Sequence, residues 1–269
     1  AKIKDRTLPK FRFIAGDLSG IQHSIFMLAN QRVRGVNRIL RARSFLLTMI
    51  AEAGLLACLR RLRLPIFSQI QNAGGRFLVL APALPEIQGK VDALRDEIDQ
   101  WMLDRYLGEL SLNLALSEPF SAQDLMQENL PGLLARLGAT VREAKLRAFR
   151  AASRSIVLED KFEQGACEAC AVRPAVPIER RDDIETRRCP TCQQEHDVGS
   201  VLPRTRYLAW TTRAIGKAKE TIPFFGNLYL GLYEDRPWID ETFLTLQRVF
   251  ASKDTPGGPA AVRRLATYV

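Results

Sequence analysis

The sequence predicts an α+β fold built on a ferredoxin-like, split βαβ sheet, and three observations predict it. Two short β-rich runs flank a turn at Asn72-Ala73-Gly74-Gly75. A long helical pattern precedes that hairpin, and an amphipathic helix follows it. A segment with period-two alternation closes the series. In chain order this gives strand, helix, strand, strand, helix, strand, which packs a four-stranded antiparallel sheet against two helices.

The first strand is FRFIAG, residues 11–16, and it ends at a turn, Gly16-Asp17-Leu18-Ser19-Gly20. From Val36 to Leu62, apolar residues such as Ile39, Leu40, Leu46, Leu47 and Ile50 recur at helical spacing, and Pro65 stops the helix. The hairpin arms are Ile66 to Gln71 and Phe77 to Ala81. The glycines between them supply the positive φ that a tight turn needs. Pro85 to Tyr106 places Val91, Leu94, Ile98 and Met102 on one helical face, with Asp92, Asp96 and Asp99 largely opposite. Leu110, Leu112, Leu114 and Leu116 alternate with Ser111, Asn113 and Ala115, the pattern of a half-buried strand.

Past Pro119 the pattern is helical to about Phe162, with a break near Pro131-Gly132. A cysteine segment follows from about Gly165 to Gly199. Leu202 to Ile215 reads as helical, and Phe224 to Tyr233 as a strand; 254–260, DTPGGPA, is a loop. The sequence shows no internal repeat. The expected organisation is a sheet domain over 1–120, a helical segment over 121–164, a metal-binding insertion over 165–200, and a strand and helix segment over 201–269.

Hydrophobic residues make up 46% of the 269 residues, enough for a core. The longest apolar run, around Phe45 to Leu59, is interrupted by Thr48, Glu52 and Gly54, so no membrane span and no membrane partner are expected. The N-terminal AKIKDRTLPKFRF has no apolar run of the signal-peptide kind. A net charge of +9 favours anionic partners such as nucleic acid or nucleotides. The basic charge is concentrated: between Leu18 and Ala51 there is no Asp or Glu, and Arg32, Arg34, Arg38, Arg41 and Arg43 all fall there.

Four of the five cysteines form two CxxC pairs, Cys167-Cys170 and Cys189-Cys192, in the pattern C-x2-C-x18-C-x2-C. That spacing is read as a structural zinc site, with two knuckles giving four thiolates and no open position for water. His196, four residues past Cys192, is an alternative ligand, and a surface histidine is the plainer reading. Cys58 reads as a core thiol. This cysteine usage fits a cytosolic, reducing compartment better than a secreted disulfide scaffold.

Asp17, at a strand end beside a turn, has the chemistry to hold a metal or orient a nucleotide, or simply to hydrogen-bond its own turn. Gly74-Gly75-Arg76-Phe77 presents open backbone beside it, and is also explained as a plain hairpin. The arginine run at the start of the first long helix suits phosphate binding or a solvated basic face equally.

Taken together, FIAGDLSGIQ, RILRARSFLL and NAGGRFLVLAP resemble the first palm domain of the large subunit of type III CRISPR effector complexes. The cysteine pairs fall where that family places a zinc-bearing insertion. VGSVLPRTRYL and the closing RRLATYV, which in the family runs into a second palm domain, are similar as well. The resemblance implies a subunit that joins ATP molecules into cyclic oligoadenylates, using a Gly-Gly-Asp-Asp hairpin and two metal ions in the second palm. Many members also carry a His-Asp nuclease domain.

Two departures are plain in this sequence. No Gly-Gly-Asp-Asp occurs, and the corresponding hairpin is Gly74-Gly75-Arg76-Phe77, which cannot bind Mg²⁺ as two carboxylates would. The His-Asp nuclease motif is missing too, since the two histidines are His23 and His196, and His196-Asp197 lies beside the cysteine segment.

The resemblance therefore implies a non-catalytic half: a fragment of a longer subunit, or one part of a split one. It would hold ATP, with Mg²⁺ in the complete subunit, at a nucleotide edge formed by Gly16, Asp17, Ser19, Gly20, Gly74 and Gly75, helped by Arg41 and Arg43. Its partners would be the other type III subunits, the CRISPR RNA and the target RNA. The alternative is a basic, zinc-stabilised module that binds RNA and scaffolds neighbours without a nucleotide site. A free-standing cyclase would need acidic ligands on the hairpin.

Overall fold

Strand β1 (Phe11–Ser19) runs through the middle of the first sheet, with β3 (Arg76–Pro82) on one side and β4 (Ser111–Leu116) on the other. β2 (Gln69–Ala73) lies outside β3, so the order is β2-β3-β1-β4 with every pair antiparallel. The computed structural model describes residues 4–29, 34–150, 161–176, 187–238 and 240–249. The helices are α1 (Ile21–Ala29), α2 (Val36–Leu62), α3 (Ile87–Tyr106), α4 (Leu130–Leu146) and α5 (Pro190–Val201). The order of the first sheet with α2 and α3 in its crossovers is the split βαβ arrangement that the sequence predicts.

The chain divides into two units, one of Ala1–Ser24 with Phe45–Leu158, the other of Ile25–Ser44 with Glu159–Val269. Of the predicted helical segment over 121–164, the described residues 121–150 fall in the first unit with the sheet. α2 contributes residues to both units. It is long and apolar enough to cross a bilayer by length and composition, and 83% of its apolar 18-residue window is buried inside the protein, as in a core helix.

In the first unit both faces of the sheet are covered. One face carries Ile14, Gly16, Phe77, Leu112 and Leu114. Gly16 and Gly54 make room there for the Phe77 ring: a Cβ on Gly16 would lie 2.1 Å from it, and one on Gly54 2.9 Å. On the other face, α4 lays Leu133 and Leu137, with Val141 and Ala144, across Phe13, Ala15, Ala115 and Phe120. These residues recur every three or four positions, the spacing of one helical stripe. That second cover corrects the half-buried reading of β4, since Leu112, Asn113, Leu114 and Ala115 are all buried. Pro131 sits in the first turn of α4, where its missing N–H costs nothing, so it starts a helix rather than breaking one.

The second unit carries another four-stranded antiparallel sheet, of β5 (Tyr207–Thr211), β6 (Glu220–Phe224), β7 (Leu228–Tyr233) and β8 (Phe243–Arg248). Its order, β6-β7-β5-β8, repeats the second-third-first-fourth order of the first sheet without any sequence repeat. Among the described residues no helix fills its crossovers. The expected helix from Leu202 to Ile215 is not found: a short 3-10 turn, Leu202–Arg204, leads into β5, whose buried Trp210 meets Phe224 edge-on at 5.1 Å. Most of the charged loop between the CxxC pairs, the 254–260 loop and the RRLATYV end lie outside the described residues.

Candidate functional site

β1 extends three residues beyond the predicted strand. Asp17 therefore stands inside the strand rather than in a turn, opposite Arg76 on β3 and Asn113 on β4. Period-two alternation puts Asp17 on the α4 face with Phe13 and Ala15. It lies just past the apolar stripe and is 6% exposed. Its two oxygens are matched separately: Arg76 Nε is 2.8 Å from Oδ2 and Lys145 Nζ, from the last turn of α4, is 2.9 Å from Oδ1. A cleft of about 340 Å³ opens here between the sheet and α4, with Asp17, Gln71, Arg76, Val141, Arg142 and Lys145 among its walls.

The other predicted residues of this end fall close by. Ser19 Oγ accepts from Asn113 Nδ2 at 3.3 Å, and the same amide donates to the Asp17 carbonyl at 3.3 Å. Gly74 and Gly75 form the two-residue hairpin turn with φ of +62° and +78°. Two consecutive positive φ values are what a type I′ turn requires. The Gly75 carbonyl accepts from Leu18 N–H at 2.9 Å, tying the turn to β1. Gly20, at φ +90°, redirects the chain into α1, packed on the Glu109 carbonyl. Gly16 is engaged by the Phe77 ring on the opposite face.

Magnesium keeps several waters and is held through one or two carboxylates that are free to bind it. Asp17 offers a single carboxylate already faced by two cations. The residues at this end therefore do not fit a magnesium ion of their own.

Arg41 and Arg43 belong to the second unit, where the arginine run docks on α5. Arg43 donates from Nε to Glu195 Oε1 and from Nη2 to Oε2, both at 2.7 Å, and both side chains are buried. Arg41 donates to the Gly199 carbonyl at 3.1 Å. Arg38 lies 3.3 Å from His196 Nε2, and Arg188 donates to the Arg34 carbonyl at 2.7 Å. Gly199 permits the contact, because a Cβ there would sit 1.9 Å from the Arg38 carbonyl. His196 is buried rather than on the surface, and burial lowers its pKa. Sequence spacing gives no sign of these partners, which are about 150 residues apart.

The four cysteines converge. Their sulfurs all lie within 4.8 Å of one another, with Cys170 and Cys189 at 3.9 Å. A tetrahedral tetrathiolate with metal–sulfur bonds near 2.3 Å has sulfur–sulfur edges of about 3.8 Å. The first knuckle turns at Cys167–Ala171, where Ala171 N–H reaches the Cys167 carbonyl at 2.8 Å. The second is the start of α5: Cys189 is the N-cap, accepts from Cys192 N–H, and precedes Pro190. The helix N-terminus favours thiolate there. A bridge between Val176 and Arg188 brings the knuckles together, and Leu28 and Ile39 pack against them.

Hydrogen bonds, first from Cys170, pull the Cys167 thiol down, while Cys192 is pushed up, first by Cys167. A set of this kind gives up all four protons only to a cation. Among the described residues this is the one group of three or more metal-ligating side chains that converges. Cys58, by contrast, is buried alone, and desolvation pushes its thiol up to about 12.

Residues 10–161 match the family described as Csm1 subunit domain B. A protein of Thermococcus onnurineus (strain NA1), the "CRISPR system single-strand-specific deoxyribonuclease Cas10/Csm1 (subtype III-A)", is 30% identical over 207 residues, covering 72% of this chain and 25% of that protein. The chain thus spans about a quarter of that relative's length. A solved Csm1-Csm4 cassette in complex with one ATP superposes with a TM-score of 0.62 at 22% identity, covering 91% of this chain and 28% of that one. The cassette in complex with cA4 does so at 0.59 and 21%, covering 91% and 27%. At that identity the two superpositions establish the fold.

Proposed function

The chain belongs to the Csm1 subunit domain B family, part of the large subunit of type III CRISPR complexes, and from that membership we propose that it supplies the ATP-holding, non-catalytic palm half of a cyclic oligoadenylate synthase. The observation that carries this reading is the convergence at one end of the first sheet. Asp17, Ser19 and the Gly74-Gly75 turn meet there beside a cleft with cationic walls. The turn leaves backbone open to a close-lying ligand, and Arg76, Arg142 and Lys145 suit phosphate. The solved cassettes bound to ATP and to cA4 support a nucleotide at this fold.

Two catalytic carboxylates are not available on this hairpin, whose residues after the glycines are Arg76 and Phe77. Chemistry would come from a second palm, and any Mg²⁺ would be held by that palm and the triphosphate. This chain's residues would bind and orient. In the complete assembly the partners are the other type III subunits, the CRISPR RNA and the target RNA, in the cytoplasm.

We assign zinc to the four-cysteine site. Its role is to order the segment between the two CxxC pairs, whose sequence is rich in charge and poor in apolar residues.

Titration of the purified chain with ATP tests the nucleotide reading. The expected result is saturable binding with no consumption of ATP. Cyclic product should appear only when a palm bearing Gly-Gly-Asp-Asp is added. No binding would overturn the reading, and turnover by the chain alone would replace it with a cyclase. The scaffold alternative draws on Arg34, Arg38 and Arg41, which remain exposed along one stretch. Salt-sensitive RNA binding without ATP binding would favour it.

A further inference from the structure

The carboxylate of Asp17 stands at the end of a central strand beside a glycine hairpin, a position suited to holding a divalent ion. Here both of its oxygens are already taken by side-chain cations, Arg76 Nε at 2.8 Å and Lys145 Nζ at 2.9 Å. We infer that Lys145 and Arg76 serve as resident cations at Asp17, so that the cleft between β1–β3 and α4 takes the phosphates of a nucleotide directly, without a divalent ion of its own; this rests on the nucleotide reading above.

The charge count supports it. The cleft walls carry one carboxylate, Asp17, against three cations, Arg76, Arg142 and Lys145. One cation is cancelled and two remain in excess. Arg142 is exposed and has no carboxylate in ion-pair contact among the described residues. Arg76 uses Nε on Asp17, while 66% of its side chain stays exposed. A guanidinium has five donors, so most of them are still available to an anion. The anionic end of a ligand would be met by two surplus positive charges in a concavity, where field lines concentrate.

The shape narrows the ligand class. A volume of about 340 Å³ falls within the range of small-molecule clefts. Leu134, Leu137 and Val141 of α4 add apolar surface to the same cleft. A ligand with an anionic end and a flat, weakly polar end fits both surfaces, and a nucleoside phosphate has that form. Simple polyanions would use the charge and leave the apolar surface unoccupied.

Lys145 also explains why the site is preformed. It is a residue of the α4 last turn, and α4 is fixed by its stripe on Phe13 and Ala15. The cation is thus delivered by a packed helix rather than by a loop.

The test is ATP binding by the chain in EDTA and in Mg²⁺, for the wild type, Lys145→Met, Arg142→Ala and the neutral pair Asp17→Asn/Lys145→Met. Melting temperatures identify any variant that fails to fold, and the neutral pair leaves no lone buried carboxylate. The expected result is equal wild-type affinity in EDTA and Mg²⁺. Affinity should fall at least tenfold for Lys145→Met and severalfold for Arg142→Ala, with Lys145→Arg restoring most of it, while the neutral pair, which keeps the excess of two cations, should bind about as well as the wild type. Wild-type binding that requires Mg²⁺ would overturn the inference and leave the nucleotide reading intact. So would metal-free binding that is insensitive to Lys145 and Arg142 but lost in Gly75→Val. Absence of ATP binding under every condition would sink the nucleotide reading itself, and the inference with it.

Discussion

Arg43 and Glu195, 152 residues apart, form a two-pronged ion pair in the interior of the second unit, with both N–O distances at 2.7 Å and side-chain exposures of 2% and 0%. The pair fixes α5, and with it Cys189 and Cys192, against the start of α2. An arginine that reads in sequence as a phosphate ligand is thereby committed to structure.

Removing one partner leaves a buried charge unmatched. Glu195→Ala should cost about 3–5 kcal/mol, read as a lower midpoint in urea. The double replacement Arg43→Met/Glu195→Leu should recover most of that loss, because no charge remains buried.

The metal site should bind one zinc per chain, measured by native mass spectrometry and by elemental analysis. Cys192→Ser should lower zinc affinity by orders of magnitude and expose the segment around residues 161–176 to protease. β1–β4 should keep their amide protection, because none of those strands takes part in the cysteine cluster. Retention of full zinc in Cys192→Ser would contradict the four-ligand assignment.

Gly16→Ala places a methyl group 2.1 Å from the Phe77 ring. Overpacking of this kind costs about 1–3 kcal/mol, to be seen in thermal melts. Gly16→Ala/Phe77→Leu should restore part of it, which would separate packing at Gly16 from a role in ligand approach.

Asp99, buried on α3, has its pKa pushed up from the usual 3.8 to about 6, chiefly by desolvation and despite a hydrogen bond from Phe149 N–H. In the unfolded chain the group loses its proton near its ordinary value. The folded state holds that proton to higher pH. Asp99 therefore adds stability below about pH 4 that is lost as pH rises through 6, a loss on the order of 3 kcal/mol. Asp99→Asn should flatten stability against pH between 4 and 7, followed by denaturant midpoints. An unchanged slope would place the shift elsewhere.

Much of the first sheet was legible because its signals are local. Periodicity marks α2 and α3, and two adjacent glycines mark the hairpin. The end of β1 was misread because Gly16 followed by Asp17 looks like a turn. Gly16 is in fact a strand glycine, selected by the ring of Phe77 from another strand, which no local window contains. β8 gives no local signal because FLTLQR is short and nearly uniformly half-buried, without the two-residue alternation of a strand with one buried face. The cysteine site was legible from spacing alone, since a tetrahedral thiolate shell constrains its own sequence. Asp17 was picked out, but its cations were not: Arg76 comes from β3 and Lys145 from α4, and only the register and the helix stripe bring them together. His196 reads as a surface residue for the same reason, its neighbour Arg38 being 158 positions away.

The central place of β1 has a consequence for how the chain is made. β1 leaves the ribosome well before its neighbour β4, which lies about a hundred residues downstream, and Lys145 is further still. At 5–20 residues per second, that interval is roughly 5–20 s. Throughout it, a buried-type strand has at least one open edge, both until β3 emerges, and Asp17 lacks Lys145. Nascent chains arrested before β4 should therefore bind chaperones and be cut within β1, with protection arising once α4 has emerged.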